Sequence, residues 1–285
     1  MAKLEDQSGQ CKPIMSELQH PNPAQTYERY FGPTIADPWT RVLLEYTDVQ
    51  PRQHVLDLAC GTGSVARHIA PLVGTEGKVV ALDINPEMLA VGQTLPAPSG
   101  ATIEWWEGSA VAIDLPSAIF DLVVCQQGLQ FFTDRAASLR ETRRVLADGG
   151  RVVLSVWQGL QLHPLYEALF EATTRRLDAN LTNVATPFSL GDAEELRALL
   201  NEAGFHTVKV TPRSIDVHLP APAEFVQRTV LGAATSVPTF AQLDTAGRSA
   251  LVESVSQEIG TVVQRYQDGN RLTFPMFSHI AVAYA

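Results

Sequence analysis

Val55-Leu56-Asp57-Leu58-Ala59-Cys60-Gly61-Thr62-Gly63 is the stretch on which the fold turns. His54 to Leu58 reads as a short apolar strand, and Gly61-Thr62-Gly63 as the turn that ends it. Ser64 then stands where a side chain caps a helix, predicted to run to about Leu72. Glycines at a strand-to-helix turn let a ligand approach the backbone, and the helix start beyond offers unpaired N–H groups.

The same rhythm repeats downstream. A second strand over 78–82 ends at Asp83, and Asn85-Pro86 opens a helix carrying Met88, Leu89 and Val91. Strands follow over 101–106 and 120–125, then an amphipathic helix over 134–146 stopped by Gly149-Gly150, then a fifth strand over 151–157. Strands alternating with helices predict an α/β, Rossmann-like, doubly wound parallel sheet, with ligands outside the carboxyl ends of its strands.

Working outward, residues 1–25 read as a polar tail without a signal-peptide core, and 26–50 as two short helices broken near Gly32-Pro33. Beyond Trp157, helices are predicted over 162–177 and 192–203, and a sixth strand over 205–211. Residues 221–267 look helical and irregular, and 280–284 form a last apolar strand. The organisation expected is a tail and lid helices over 1–50, a core over 51–220, a helical cap over 221–270 and a final core strand over 271–285.

Composition narrows the function classes. The chain has 285 residues, 45% hydrophobic, with a formal net charge of −10. Arg140, Arg143 and Arg144 are its densest basic group, so nucleic acid is not expected as a partner. Cys11, Cys60 and Cys125 give neither a disulfide framework nor a zinc pattern, so no metal is expected and a reducing cytoplasm is. No apolar run reaches membrane-spanning length, so no membrane partner is expected either. The oligomeric state stays open.

Asp83 follows Gly63 by twenty residues, where a strand-end carboxylate can accept both hydroxyls of an adenosine ribose. Gly61-x-Gly63-x-x-Ala66 also satisfies the loose dinucleotide fingerprint, which keeps a nicotinamide-dependent oxidoreductase in view. Asp57 speaks against it: a carboxylate at the mouth of the first strand repels a pyrophosphate. It suits the ammonium and sulfonium of S-adenosylmethionine instead. A carboxylate that merely braces the loop is the structural alternative for Asp57.

With these residues placed, the chain resembles class I S-adenosylmethionine-dependent methyltransferases of the small-molecule type, including those of ubiquinone and menaquinone biosynthesis. The resemblance rests on Val55 to Gly63, on Val79-Val80-Ala81-Leu82-Asp83-Ile84-Asn85-Pro86-Glu87-Met88-Leu89, on Phe120-Asp121-Leu122-Val123-Val124-Cys125-Gln126-Gln127, and on Arg143-Arg144-Val145-Leu146 with Gly149-Gly150. It implies seven strands, the last antiparallel and beside 151–157, with 221–267 as a helical cap over the substrate side. It implies S-adenosyl-L-methionine as cofactor and a small, partly hydrophobic acceptor.

Ala59, Gly61 and Gly63 would border the methionine part and Asp83 would hold the ribose. Ile84 and Met88 would pack on the adenine faces. Ser109 and Ala110 would meet the adenine edge, Ser109 standing where many relatives have an acid. Tyr27 or Tyr30, in the segment that folds over the cofactor in relatives, could contact it. Gln126, Gln127 and Gln130 could touch the methionine carboxylate or the acceptor.

Methyl transfer is an in-line displacement that needs alignment and only optionally a base. The candidates for a catalytic role are His163, Tyr30 and Gln130. A non-catalytic protein that binds the same cofactor would carry the same motifs.

Overall fold

A computed structural model describes residues 22–285. Most of the polar tail expected over 1–25 thus lies outside the described residues. The strands are β1 (His54–Leu58), β2 (Lys78–Asp83), β3 (Ile103–Glu107), β4 (Phe120–Gln126), β5 (Leu146–Trp157), β6 (His206–Pro220), the two-residue β7 (Gln267–Asp268) and β8 (Arg271–Tyr284). They join in one sheet of order β3-β2-β1-β4-β5-β8-β6, with β7 paired to β8. The β1–β2, β1–β4, β2–β3 and β4–β5 pairs are parallel; β8 runs antiparallel between β5 and β6. The expected insertion beside 151–157 is therefore present, with Ser155 opposite Ile280.

Two of these strands are longer than the sequence suggested. The sixth strand was expected over 205–211 and the last over 280–284, yet β6 and β8 pair from Pro220–Arg271 to His206–Tyr284. Beyond Trp157, where β5 stops, they continue as a two-stranded ribbon. Its exposed face is polar, which hides the alternation from a reading that looks for apolar runs.

The sheet buries a core on each face. Val55, Val79, Leu122, Val124 and Val153 point to one side, and Leu56, Leu58, Val80, Val123 and Leu154 to the other, as the two-residue period of a strand requires. The first core is covered by the N-terminal helical segment and by α3 (Ser64–Val73). The second is covered by α5 (Arg135–Val145) and α7 (Ala193–Glu202). The remaining βα helix, α4 (Pro86–Thr94), is capped by Asn85, whose side chain accepts from the Glu87 N–H at 2.9 Å.

The N-terminal segment departs from expectation. Instead of two helices broken at Gly32-Pro33, α1 (Pro23–Thr26), a π-helix (Tyr27–Ala36) and α2 (Asp37–Leu44) follow one another without interruption. Pro33 sits inside the π-helical stretch. The wider i→i+5 winding leaves room for a residue that lacks an N–H. Ser64 does not cap α3 either. The N-cap is Gly63 at φ +81°, and the Ser64 hydroxyl instead donates to Asp37 and lies 3.0 Å from the Thr40 hydroxyl, pinning α2 to the glycine loop.

Residues 221–267 form α8 (Pro222–Ala234), α9 (Thr245–Glu258) and α10 (Gly260–Tyr266). They pack against α6 (Pro164–Leu177) and against one another, with Phe225, Val226, Val230, Val237 and Phe240 all buried. Arg176 binds Glu258 at 2.9 Å, and Arg175 also pairs with it, tying α6 to α9.

Candidate active site

A cavity of about 680 Å³ opens at the carboxyl ends of β1, β2, β4 and β5. Its two ends differ in chemistry. One end is built from Tyr27, Ala59, Gly61, Asp83, Ile84, Met88, Ser109, Ala110 and Gln126. The other is walled by Phe31, Trp39, Trp157, Tyr166, Phe170, Phe188 and Met276.

The first end is held open by the loop after β1. Cys60 donates to the Leu82 carbonyl at 3.0 Å and Gly63 to the Cys60 carbonyl at 2.8 Å. Ala59, Gly61 and Gly63 all take left-handed backbone, at φ +58°, +56° and +81°. A Cβ at Gly61 would meet nothing within 4 Å, because that side of the residue faces the cavity. A Cβ at Gly63 would collide with the ring of Trp105, so this glycine admits the start of α3 rather than a ligand.

Asp83 lies at the rim with each oxygen bonded once. Oδ2 accepts from the Gly61 N–H at 2.7 Å and Oδ1 from the Asn85 N–H at 2.8 Å. Each carboxylate oxygen can accept again, so the cavity side stays available to hydroxyl donors. Beside it Ile84 is 71% exposed, which core packing would never leave so. Ser109 and Ala110 face it across the end of β3.

Asp57 stands behind this wall and does not line it. It is 1% exposed; its Oδ2 accepts from the Ala66 N–H at 2.8 Å and its Oδ1 has no partner among the described residues. Burial first, and then the nearby Asp83 charge, push its carboxyl up to about 7, against the pull of the Ala66 N–H and Arg67. The loop-bracing role weighed for it is thus present, with one oxygen to spare. Tyr27 is pushed up to about 12 by burial and by Glu28, Asp37, Asp83 and Asp57, and so stays a neutral phenol.

The three candidates for a catalytic role do not reach the cavity. His163 is 2% exposed; its Nδ1 bonds the Gly159 carbonyl at 3.2 Å, and its Nε2 accepts from the Phe277 N–H at 3.0 Å. Both nitrogens are occupied by backbone, and burial lowers its pKa, so it braces β8 against the turn after β5. The Tyr30 hydroxyl donates to the Pro220 carbonyl at 3.0 Å, and its ring lies 4.9 Å from the Arg228 guanidinium. Gln130 is 2% exposed and donates to Gln127 Oε1 at 3.2 Å, beneath the wall. Gln126 and Gln127 do line the cavity; Gln126 Nε2 donates to the Ala36 carbonyl at 3.0 Å, and Gln127 Nε2 to the Ser278 hydroxyl at 3.1 Å.

None of the residues 221–267 lines the cavity, although they were expected to cap the substrate side. Their place is taken by Tyr166 and Phe170 on α6, by Pro187 and Phe188 in the turn that follows, and by Met276 on β8. Sequence reasoning missed these. The available signals were Tyr166 and Phe170 four residues apart on one helix face, and Trp157 at the carboxyl end of β5. The rings interlock: Tyr166 lies 5.5 Å from Phe188 and 5.9 Å from Phe170, and Trp39 meets Trp157 edge-on at 5.4 Å.

The first end fits S-adenosylmethionine. Asp83 offers a carboxylate to ribose hydroxyls, Gly61 leaves the room a Cβ would fill, Ile84 presents an exposed apolar face, and the cavity lining among the described residues holds no Lys or Arg for a pyrophosphate. Among the described residues no group of three or more His, Cys, Asp or Glu side chains could hold a metal ion. Fold and site together define a class I S-adenosylmethionine-dependent methyltransferase.

The comparisons give the particular group. The sequence profile of the ubiE/COQ5 methyltransferase family matches residues 31–177, and the chain belongs to that family. It is 32% identical over 186 residues to the ubiquinone/menaquinone biosynthesis C-methyltransferase UbiE of Proteus mirabilis, covering 61% of this chain and 74% of that one. Among solved structures, the YcgJ protein from Bacillus subtilis superposes with a TM-score of 0.56 at 16% identity, over 86% of this chain and 97% of that one. Haemonchus contortus phosphoethanolamine N-methyltransferase 2, solved with phosphomonomethylethanolamine and S-adenosylhomocysteine, does so with a TM-score of 0.54 at 17% identity, over 92% of this chain and 56% of that one. The structural likenesses speak for the fold; the family speaks for methyl transfer from S-adenosyl-L-methionine, and favours neither an oxidoreductase nor a non-catalytic binder.

Proposed function

We propose that the chain methylates a small, largely apolar acceptor seated at the aromatic end of the cavity. The observation that carries this is the continuity of the cavity, from Asp83, Gly61 and Ile84 at one end to Trp157, Tyr166, Phe170 and Phe188 at the other. In this reading Asp83 holds the ribose, Ile84 and Met88 pack on the adenine, and Ser109 and Ala110 meet its edge. Tyr27, Ala59, Gly61 and Gln126 border the methionine part, with Asp57 and Gly63 supporting the loop from behind.

S-adenosylmethionine supplies a methyl group activated by its positive sulfur. The protein aligns the acceptor with it and keeps water away, the work an apolar chamber does well. The titratable side chain lining the aromatic end is Tyr166, whose hydroxyl burial pushes up, so it stays neutral near pH 7. The acceptor is therefore positioned by this chain rather than activated by a base.

The net charge of −10 and the free thiols of Cys60 and Cys125 support a non-nucleic-acid acceptor and a reducing cytoplasm. Among the described residues, no helix is long and apolar enough to cross a membrane. The test is a screen in which purified protein and S-adenosylmethionine with a trideuterated methyl group are incubated with a fractionated bacterial metabolite extract. Heavy methyl in the organic-soluble fraction is expected; heavy methyl confined to the polar fraction would contradict an apolar acceptor.

A further inference from the structure

The two ends of the cavity meet at the end of β4. In the sheet β4 lies between β1, whose loop carries Ala59 and Gly61, and β5, whose last residue Trp157 walls the aromatic end. The residue that follows β4 is Gln127, which lines the cavity at φ +53°. A non-glycine residue in left-handed backbone is strained and persists only where its surroundings hold it, most often at functional sites. Ala59 takes the same conformation after the neighbouring strand, so two strained residues flank the boundary between the ends.

Three elements hold Gln127. Its N–H donates to the Ser155 carbonyl on β5 at 3.0 Å, and its Nε2 to the Ser278 hydroxyl on β8 at 3.1 Å. Its Oε1 accepts from Gln130 Nε2 at 3.2 Å in the turn that follows. Gln130 and Ser278 are both buried, and Ser278 in turn donates to the Val156 carbonyl at 2.8 Å. Ser278 shares a face of β8 with Met276, which lines the aromatic end. Both ends of the Gln127 amide are thus engaged, and the side chain works as a clamp. The strained turn also brings Gly128 against the cofactor loop: a Cβ there would lie 2.7 Å from the Ala59 Cβ and 2.8 Å from the Cys125 sulfur. The loop after β4 is pressed on the loop after β1 at one side and pinned to β8 at the other.

We propose that Gln127 is a positioning residue for methyl transfer. Its clamp fixes the separation between the wall that carries the methionine part of the cofactor and the wall that carries the acceptor, and its side chain binds neither molecule. In-line displacement needs the reacting atoms about 3–3.5 Å apart, and a misplacement of about 1 Å costs roughly 100-fold in rate. A joint between two binding walls is where such a misplacement would arise. This inference rests on the placement of cofactor and acceptor at separate ends, as proposed above.

The experiment compares the full chain with Gln127→Asn. Asparagine tolerates left-handed backbone, and it is one methylene too short to span Ser278 and Gln130. Each protein is incubated with saturating trideuterated S-adenosylmethionine and a dilution series of the bacterial metabolite extract, and heavy methyl is read by mass spectrometry. The maximal rate should fall at least about 10-fold. The extract dilution at half-maximal rate and the calorimetric affinity for S-adenosylhomocysteine should each stay within about 2-fold of the parent, with Tm little changed.

Should Gln127→Asn fail to fold, Gln127→Gly, which removes strain and clamp together, carries the same comparison. An unchanged maximal rate in the folded variant would overturn the positioning role. So would a rate loss that merely tracks unfolding, or a loss confined to half-saturation or cofactor affinity, which would make Gln127 a binding contact. Heavy methyl in no fraction even with the parent would overturn the small-acceptor reading itself, and the role of Gln127 with it.

Discussion

The two ends of the cavity are built in opposite ways. The end at β1 and β2 comes from short loops that follow consecutive strands, and its groups are held by backbone: Gly61 N–H on Asp83, Ala66 N–H on Asp57, Cys60 N–H on Leu82. The aromatic end comes from the π-helix, α2, α6, the 186–188 turn and β8, and is held by ring-on-ring packing. On the proposed reading, local hydrogen bonds fix the cofactor end and long-range packing leaves the acceptor end free to vary, and that difference places each specificity.

The largest expected effect comes from the charge concealed at the first end. Asp57 has an unfolded value near 3.8 and a folded value of about 7. At low pH both states are protonated. As pH rises from about 4 to 7 the unfolded carboxyl ionises first, so native stability falls, and it levels off above the folded value. The penalty at pH 8 is of order 4 kcal/mol. Asp57→Asn, which can still accept from Ala66, should raise the unfolding free energy of the ligand-free protein at pH 8 by about 2–4 kcal/mol and change it little at pH 4. Denaturant titrations at the two pH values check this, and an equal loss at both would mean that the carboxylate is stabilised where it lies.

The second effect sharpens the view that the aromatic end carries no base. His163→Ala leaves the Phe277 N–H without its acceptor and should cost about 1–3 kcal/mol of stability. The pH profile of kcat, taken below the melting transition, should keep its shape. A kinetic step near neutral pH in the parent that vanishes in the variant would return His163 to the chemistry.

The smallest effect is at Ala59, a non-glycine residue at φ +58° in the loop itself. Ala59→Gly relieves the left-handed strain, which is worth about 1–2 kcal/mol, while adding chain entropy to the unfolded state. The net gain should be below about 1 kcal/mol, seen as a small rise in Tm. A fall in Tm would show that the Ala59 methyl is held by packing.

The same contrast explains what could be read beforehand. That Gly61 and Asp83 meet at the strand ends was legible because the spacing from β1 through α3 to β2 is set by local βαβ geometry, whereas Gly63, expected to border the methionine part, does not line the cavity. That Ile84 and Met88 line the cavity was legible only through the family resemblance, since an apolar residue near a strand end usually belongs to the core.

Other features were settled by tertiary contacts that leave no mark on spacing. His163 falls near the cavity mouth in sequence, yet the Phe277 N–H on β8 claims its free nitrogen. Tyr30 and Phe31 are neighbours in the chain, but the helix turns Phe31 into the cavity and Tyr30 toward Pro220. The aromatic content of 221–267 is real, but α6 stands between it and the cavity, so those rings seal the core. Phe188 was invisible because it lies in an irregular turn, where no period distinguishes a lining side chain from a solvent-facing one.

The central claim is that cofactor and acceptor occupy separate ends of one cavity, and calorimetry with S-adenosylhomocysteine on two variants tests it most directly. Asp83→Ala removes the carboxylate proposed to hold the ribose and should weaken binding by about 1.5–3 kcal/mol, roughly 10- to 150-fold, in a folded protein. Phe170→Leu changes the wall of the aromatic end and should leave the affinity within about 2-fold of the parent. If Phe170→Leu weakened cofactor binding as much as Asp83→Ala, or if folded Asp83→Ala bound S-adenosylhomocysteine unchanged, the division of the cavity would be contradicted.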